Sequence, residues 1–374
     1  MPAGYLDPRP LGGSGIEVSA LSLGSWRTYE RLPADAGVAI LRAAREAGIG
    51  FFDDALYNDE TGRAPLATGY SEVVFGNLFR GAGLRQDEVV VANKLWWEFW
   101  PEQSAAAELD ASLQRMGFDY VDLIYASEPP PDMGVADLVA AVGGLIAAGK
   151  ARAWGVLNWP AATISQASSA ATSQSVPPPC AAQLPYSLVR RSPVQDAEMA
   201  RALAAAGTGV VASFCLEGGI LSGKYREQGA AGRAAATLGH PRVGPAIAAA
   251  GELAGLARRL ATRPAALALA FPLASPVVAS VLFGATNAEQ VRANCAAVSV
   301  LAGLSQTDLD DLRRVGAELP EVAAGEHIDE RHQRDDAEDC PGHLRAGRQV
   351  GARREIDPDE HDRERVDEAD ENLD

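Results

Sequence analysis

The stretch Gly48-Ile49-Gly50-Phe51-Phe52-Asp53-Asp54-Ala55-Leu56-Tyr57 is an apolar run that stops abruptly at ionisable residues. A second run of the same kind is Val89-Val90-Val91-Ala92-Asn93-Lys94. Short apolar runs separated by helical stretches are how parallel strands read when helices cover both their faces. In an α/β barrel the carboxyl ends of such strands carry the chemistry. Asp53, Tyr57 and Lys94 delivered to one face would give a phenol whose proton can pass to a carbonyl.

The alternation extends outward from these two runs. Before Asp35 there are two candidate strands, the second ending Leu21-Ser22-Leu23-Gly24-Ser25-Trp26, and Val38, Leu41 and Ala44 set a helical period over 36–46. Ser71 is the expected N-cap of a helix presenting Val74, Phe75 and Leu78. Further strands are expected at 88–93, 120–125, 152–157, 180–184, 209–214 and 277–283. Helices are expected near 104–116, 134–148, 161–170 and 194–206, then in a longer region to about 274, and from Ala288 onward. Eight such βα units over about 300 residues predict an α/β fold of the (β/α)8 TIM-barrel type. The doubly wound open sheet is disfavoured, because Leu23-Gly24-Ser25-Trp26 lacks the later glycines of its phosphate-binding fingerprint.

Composition narrows the function classes. The 374 residues are 47% hydrophobic and 22% charged, as in a soluble globular enzyme. The four cysteines, Cys180, Cys215, Cys295 and Cys340, show neither paired nor metal-type spacing, so a reduced cytoplasmic setting and no metal are expected. The N-terminus lacks the basic and apolar regions of a secretory signal, and no apolar run is long enough to span a bilayer. The net charge of -17 is concentrated at one end: residues 321–374 hold 19 acidic and 8 basic side chains, while 1–320 hold 31 and 25. The barrel is therefore expected over 1–320, without a basic patch for nucleic acid. The segment 321–374, poor in large apolar residues, is expected to be a disordered charged tail.

Several motifs in register resemble the aldo-keto reductase family, in particular its branch of bacterial reductases and potassium-channel β subunits. Phe52-Asp53-Asp54-Ala55 with Tyr57 is similar to the first family signature, and Asp119-Tyr120-Val121-Asp122-Leu123 to the second. Gly149-Lys150-Ala151-Arg152 through Gly155-Val156-Leu157-Asn158 resembles the third. Gly218-Gly219-Ile220-Leu221-Ser222-Gly223-Lys224-Tyr225 and Gly284-Ala285-Thr286 with Gln290 and Asn294 resemble the cofactor segments. The resemblance runs from roughly Arg9 to Leu319.

It implies reduction of a small aldehyde or ketone with NADPH. Tyr57 would donate the proton, Lys94 would stabilise the phenolate, and Asp53 would hold Lys94. An unperturbed phenol titrates near ~10, so a neighbouring cation helps it. The implied cofactor residues are Gly24, Asn158, Gln183, Leu216, Gly218, Gly219, Lys224, Gly284, Thr286, Gln290 and Asn294. Asn158 and Gln183 suit a carboxamide, since amides both donate and accept. Gln290 and Asn294, four apart on a helix, would read the adenine. Lys224, with Thr286 and Arg292, would take a 2′-phosphate. Trp26 and Ser127 would line the substrate site. Trp26, Trp96, Trp97, Phe99 and Trp100 suit an apolar substrate or, equally, a cover over the barrel.

The chain departs from that pattern in four places. Ser127 stands where the family carries its active-site histidine, and His240 is the sole histidine before residue 321. The step from aspartate to tyrosine is one residue short, which leaves Asp53 and Asp54 both eligible to pair with Lys94. Thirteen residues, 58–70, separate Tyr57 from Ser71, a longer excursion than most relatives have there and an expected lid or specificity loop. The aromatic residue that relatives stack on nicotinamide maps to Ser213, with Phe214 expected to face the other way.

Overall fold

The computed structural model describes residues 6–226, 232 and 234–321. A two-stranded antiparallel hairpin, β1 (Arg9–Pro10) and β2 (Glu17–Val18), precedes the barrel. Eight parallel strands then close on themselves: β3 (Leu21–Gly24), β4 (Phe51–Asp53), β5 (Val90–Leu95), β6 (Val121–Ala126), β7 (Ala151–Leu157), β8 (Ala181–Pro185), β9 (Gly209–Ser213) and β10 (Val278–Phe283), which pairs back onto β3. The chain is a (β/α)8 barrel. Closure leaves the barrel no open sheet edge, so each of its eight strands is hydrogen-bonded on both sides.

The helices are α1 (Ala34–Glu46), α2 (Tyr70–Gly81), α3 (Ala105–Met116), α4 (Val135–Ala147), α5 (Ala161–Gln174), α6 (Ser192–Gln195), α7 (Ala197–Ala206), α8 (Gly244–Arg259), α9 (Pro264–Leu273), α10 (Ala288–Gly303) and α11 (Gln306–Arg314). The long helical region expected before β10 is thus two helices, with Pro264 at the start of the second. The expected strand and helix order is observed, with ends shifted by a few residues. Two local expectations change. The first candidate strand is the hairpin, whose Leu11, Ile16 and Val18 join the buried cluster inside the barrel. Ser71 is not an N-cap; that position is Gly69, with φ of 79°, and Ser71 lies in the first turn of α2.

Alternation along the strands sorts the side chains. Phe51 belongs to the barrel interior with Val90, Ala92, Leu123, Tyr125, Ala181 and Val211. Phe52 points outward and meets Phe79 of α2 edge-on, at 6.3 Å between ring centroids. Both rings are fully buried, each worth about 1.5–3 kcal/mol relative to exposure. Period two then assigns the two carboxylates: Asp53 shares the inner face of Phe51, and Asp54 shares the outer face of Phe52. The same rule carries Lys94 inward after Ala92 and Gln183 inward after Ala181.

No helix among the described residues is long and apolar enough to cross a membrane. The tail expectation for 321–374 falls outside the described residues except at Glu321. That carboxylate accepts from the backbone N–H groups of Arg191, at 3.3 Å, and Ser192, at 3.1 Å, where α6 begins.

Candidate functional site

At the carboxyl end of the barrel, the inward residues of three strands meet. Lys94 donates its ammonium to Asp53 Oδ1 and, at 3.4 Å, to the phenolic oxygen of Tyr57. It also reaches the backbone carbonyl of Asp54 at 3.5 Å. From across the barrel, Gln183 Nε2 donates to the other Asp53 oxygen at 2.8 Å. Asp53 and Lys94 are buried, with 2% and 3% of their surface exposed. A charge removed from water this far survives only when paired, and here both members are.

Tyr57 is positioned by its backbone. Its N–H donates to Ser71 Oγ at 3.2 Å, and that hydroxyl donates to the Ala55 carbonyl at 2.8 Å. Its carbonyl accepts from Gly69 N–H at 2.9 Å. The left-handed Gly69 and the serine behind it therefore pin both sides of the tyrosine loop.

The titration behaviour has opposing causes. Burial pushes the Tyr57 phenol above its ordinary value and outweighs the pull of the Lys94 ammonium, with Asp53 and Asp54 adding to the rise. The phenol therefore stays protonated at neutral pH, and the help expected from the neighbouring cation is smaller than the effect of burial. Lys94 is drawn down by burial, but the Asp53 charge and its hydrogen bonds prevail and hold the ammonium charged.

Asp54 is held apart from this group, outside the barrel. Ser25 donates its hydroxyl to Asp54 Oδ1, and Oδ2 is buried without a hydrogen-bond partner. Burial, and then the charge of Glu72, raise its carboxyl well above the ordinary range, against the smaller pull of Ser25, the Ala55 N–H and Lys94. The ion pair to Lys94 is made by Asp53.

Around the mouth, the other expected residues are less uniform. Ser127 donates its hydroxyl to the Trp96 carbonyl at 3.2 Å, so its proton is turned to backbone. Trp96 lies beside Tyr57, with ring centroids 6.3 Å apart. Trp97 instead is buried, with its indole N–H on the Ser127 carbonyl at 3.2 Å. Phe99 is 54% exposed, so the aromatic group divides rather than forming one wall. Trp26 meets Phe214 edge-on at 5.7 Å. The expectation that Phe214 faces away fails because β9 ends at Ser213 and Phe214 takes a left-handed φ of 55°. Strand alternation no longer applies there.

The loop after Tyr57 folds back on itself. Asn58 and Thr68 form an antiparallel bridge, and Asp59 N–H reaches the Ala67 carbonyl at 2.7 Å. The Asp59 carboxylate accepts from the Thr61 hydroxyl at 2.6 Å and from the N–H groups of Thr61 and Ala64, which hold it at about 2. Glu60 ties the loop to the segment after β3, pairing with Arg27 at 2.5 Å and Arg31 at 2.9 Å. Arg27 in turn lies over the Trp26 ring at 5.4 Å. The excursion is thus anchored to the aromatic rim.

The expected cofactor residues fall on the carboxyl ends of β3 and β7–β10 and on the segments after them. Gly24 closes β3 in register with Asp53. Asn158 follows β7 with a left-handed φ of 58° and donates its backbone N–H to the Gln183 carbonyl at 3.0 Å. Leu216, Gly218 and Gly219 form a tight turn after β9, in which Gly218 and Gly219 have φ of 64° and 95°. A Cβ on Gly219 would sit 3.1 Å from Lys224 Cε and 3.3 Å from its Nζ, so the end of the lysine lies against this backbone, and it is the φ of 95° that favours glycine here. Gly284 follows β10, and Gln290 Oε1 accepts from Thr286 N–H at 2.9 Å and its hydroxyl at 3.1 Å. Asn294 is buried one turn further along α10. Arg292 is drawn away, pairing with Glu46 of α1 at 3.3 Å.

Lys224, beside the left-handed turn, is a cation suited to a phosphate, while the N–H groups of Glu217 and Gly219 are given to the Phe214 and Leu216 carbonyls at 2.8 and 2.9 Å. The residues present thus fit a phosphate-bearing cofactor at the carboxyl end of the barrel, with Gln183 Nε2 already given to Asp53.

The family model described as the aldo/keto reductase family matches residues 20–317. The chain belongs to the aldo/keto reductase family. One curated relative is a protein named probable voltage-gated potassium channel subunit beta, from Oryza sativa subsp. japonica. It is 33% identical over 223 residues, covering 58% of this chain and 65% of that protein.

One pair in this site was not anticipated from the sequence. Glu217, inside the turn after β9, is buried against Arg190, whose Nε lies 3.0 and 3.1 Å from its two oxygens. The signal for it was a charged residue between Leu216 and Gly218 in an otherwise apolar and glycine-rich motif.

Proposed function

We propose that this protein is an NADPH-dependent reductase of aldehyde or ketone carbonyls, forming alcohols. The observation that carries the reading is the Lys94 ammonium, bracketed by Asp53 and the Tyr57 oxygen in the top layer of the barrel. When bound, the reduced nicotinamide supplies a hydride to the carbonyl carbon. Tyr57 donates its phenolic proton to the carbonyl oxygen. Its raised pKa keeps that proton in place until charge develops on the acceptor. Lys94 then stabilises the phenolate, Asp53 keeps Lys94 charged and aimed, and Gln183 fixes Asp53 from the opposite wall. Lys224, against Gly219, is the cation suited to a 2′-phosphate, which favours NADPH over NADH.

Ser127 makes this a weaker version of the family arrangement. Its hydroxyl is directed to Trp96 rather than to the pocket. Loss of one positioned oxyanion donor costs about 2.7–4 kcal/mol of transition-state stabilisation. Turnover is therefore expected to be slow or narrow in substrate range.

The test follows NADPH absorbance with purified protein and a panel of small aldehydes and ketones. Wild type consumes the cofactor and Tyr57→Phe does not; equal rates for the two sink the mechanism. A second reading is a nicotinamide-binding regulatory or sensor subunit with residual catalysis. The Ser127 geometry and the name of the rice relative favour it. Tight NADPH binding with negligible turnover over the whole panel would select that reading, whereas absence of NADPH binding would remove both.

A further inference from the structure

We propose that Arg190, Glu217 and Ser187 form a positioning clamp that holds the turn Leu216–Gly219 in the shape needed to receive the cofactor's diphosphate. The inference rests on the nicotinamide-cofactor reading and concerns residues to which the family resemblance assigned no role.

Glu217 is in the left-handed region, with φ of 46°, and is followed by Gly218 at 64° and Gly219 at 95°. Three successive residues in that region form a run that glycine tolerates and a residue with a Cβ resists. A glycine at 217 would be conformationally easier, yet the chain carries a carboxylate that is 93% buried, being 7% exposed. The side chain must therefore be satisfied where it lies, and it is. Arg190 Nε faces both oxygens, and the Ser187 hydroxyl donates to Oε1 at 2.6 Å. Arg190 is itself 8% exposed.

The two partners are preorganised. Ser187 and Arg190 bond to each other through their backbones, at 3.0 Å from Ser187 N–H and 3.3 Å from Arg190 N–H. They come directly after β8, the strand that carries Gln183. The clamp therefore ties the end of β8 to the turn after β9, so both ends of the proposed dinucleotide site are referred to one strand.

Charge points the same way. A lone carboxylate beneath a diphosphate would repel it, and the Arg190 guanidinium cancels that charge. Beside the same turn, Lys224 lies against Gly219. The turn is thus presented with a neutral base and a cationic flank.

The experiment measures NADPH binding by calorimetry and tryptophan fluorescence, and hydrogen exchange of segment 216–223 without cofactor, for wild type, Glu217→Gln, Arg190→Lys and Arg190→Met. Glu217→Gln is expected to weaken NADPH binding about ten-fold, the scale of one charge-assisted hydrogen bond lost from an intact site. Arg190→Met is expected to weaken it further, with Arg190→Lys in between, and exchange at 216–223 rises in the same order. In all three variants the KM for NADPH rises by more than kcat at saturating NADPH falls. If Arg190→Met does not fold, the near-isosteric Glu217→Gln still decides. Wild-type affinity and wild-type exchange in Glu217→Gln overturn the clamp while leaving the reductase reading intact. Failure of wild type to bind NADPH overturns both.

Discussion

Two buried ion pairs sit on opposite sides of the ring of strands, and they differ in what each leaves open. Asp53–Lys94 joins β4 to β5, and its ammonium has a further hydrogen available for the Tyr57 oxygen. Arg190–Glu217 joins the end of β8 to the turn after β9, and both its carboxylate oxygens are taken. The first pair is coupled to a group that can lose a proton. The second is closed and can only hold shape. Burying two charges is rarely a net gain in stability, so such pairs are informative chiefly about what else they touch. Gln183 connects them, since it reaches Asp53 from the strand that leads into Ser187 and Arg190.

The largest expected effect separates chemistry from binding at the first pair. Tyr57→Phe lowers NADPH-dependent turnover by about 10²–10⁴-fold, the usual worth of a positioned general acid. Direct titration should show cofactor affinity nearly unchanged; a parallel loss of affinity would mean the phenol is structural. At the closed pair the effect is on stability. Arg190→Met leaves the Glu217 carboxylate buried without its counter-charge, with only the Ser187 hydroxyl donating to it, and is expected to cost about 3–5 kcal/mol in denaturant unfolding. The double variant Arg190→Met with Glu217→Met recovers most of that loss. A single variant no worse than the double would show that the pair is not electrostatically closed.

Neighbouring carboxylates give the next contrast. Asp53→Asn removes the charge that holds Lys94, and turnover falls at least about ten-fold. Asp54→Asn replaces a carboxyl already held well above its ordinary value, so turnover is preserved. Its sign appears in stability against pH. Above the ordinary carboxylate value of 3.8 and below its raised folded value, the native state keeps a proton on Asp54 that the unfolded chain releases. Stability therefore falls as pH rises through that window, and Asp54→Asn removes that part of the slope. An unchanged slope would place the titration elsewhere.

The smallest expected effect concerns the loop beside the first pair. Glu60→Ala breaks partly exposed bridges to Arg27 and Arg31, worth about 0.2–1 kcal/mol each at most. Shortening 59–68 should change the ranking of aldehydes by kcat/KM while leaving NADPH affinity nearly intact. Altered NADPH affinity with an unchanged ranking would show that the loop does not set specificity.

Much of this arrangement was legible because strand patterns are local. Val89-Val90-Val91-Ala92 could hardly be anything but a strand buried on both faces, and the Lys94 that ends it had to emerge at the carboxyl rim. The choice between Asp53 and Asp54 was not legible, because it depends on which of Phe51 and Phe52 faces the barrel interior. Ser71 read as a cap, yet it serves as a bridge between Ala55 and Tyr57 once Gly69 has turned the chain. Phe214 escaped because one left-handed residue cancels strand alternation. The hydroxyl of Ser127 could have gone to solvent, substrate or backbone, and only packing against Trp96 directs it.

The chain alone determined the eight-fold alternation, the family motifs and the residue types delivered to the rim, since each depends on spacing within one segment. Only the folded barrel decided which carboxylate meets Lys94, that Gln183 reaches Asp53 across the interior, and that Arg190 neutralises Glu217. Those contacts join segments from 27 to 130 residues apart. A linear pattern carries no register between such distant strands; closure of the ring supplies it.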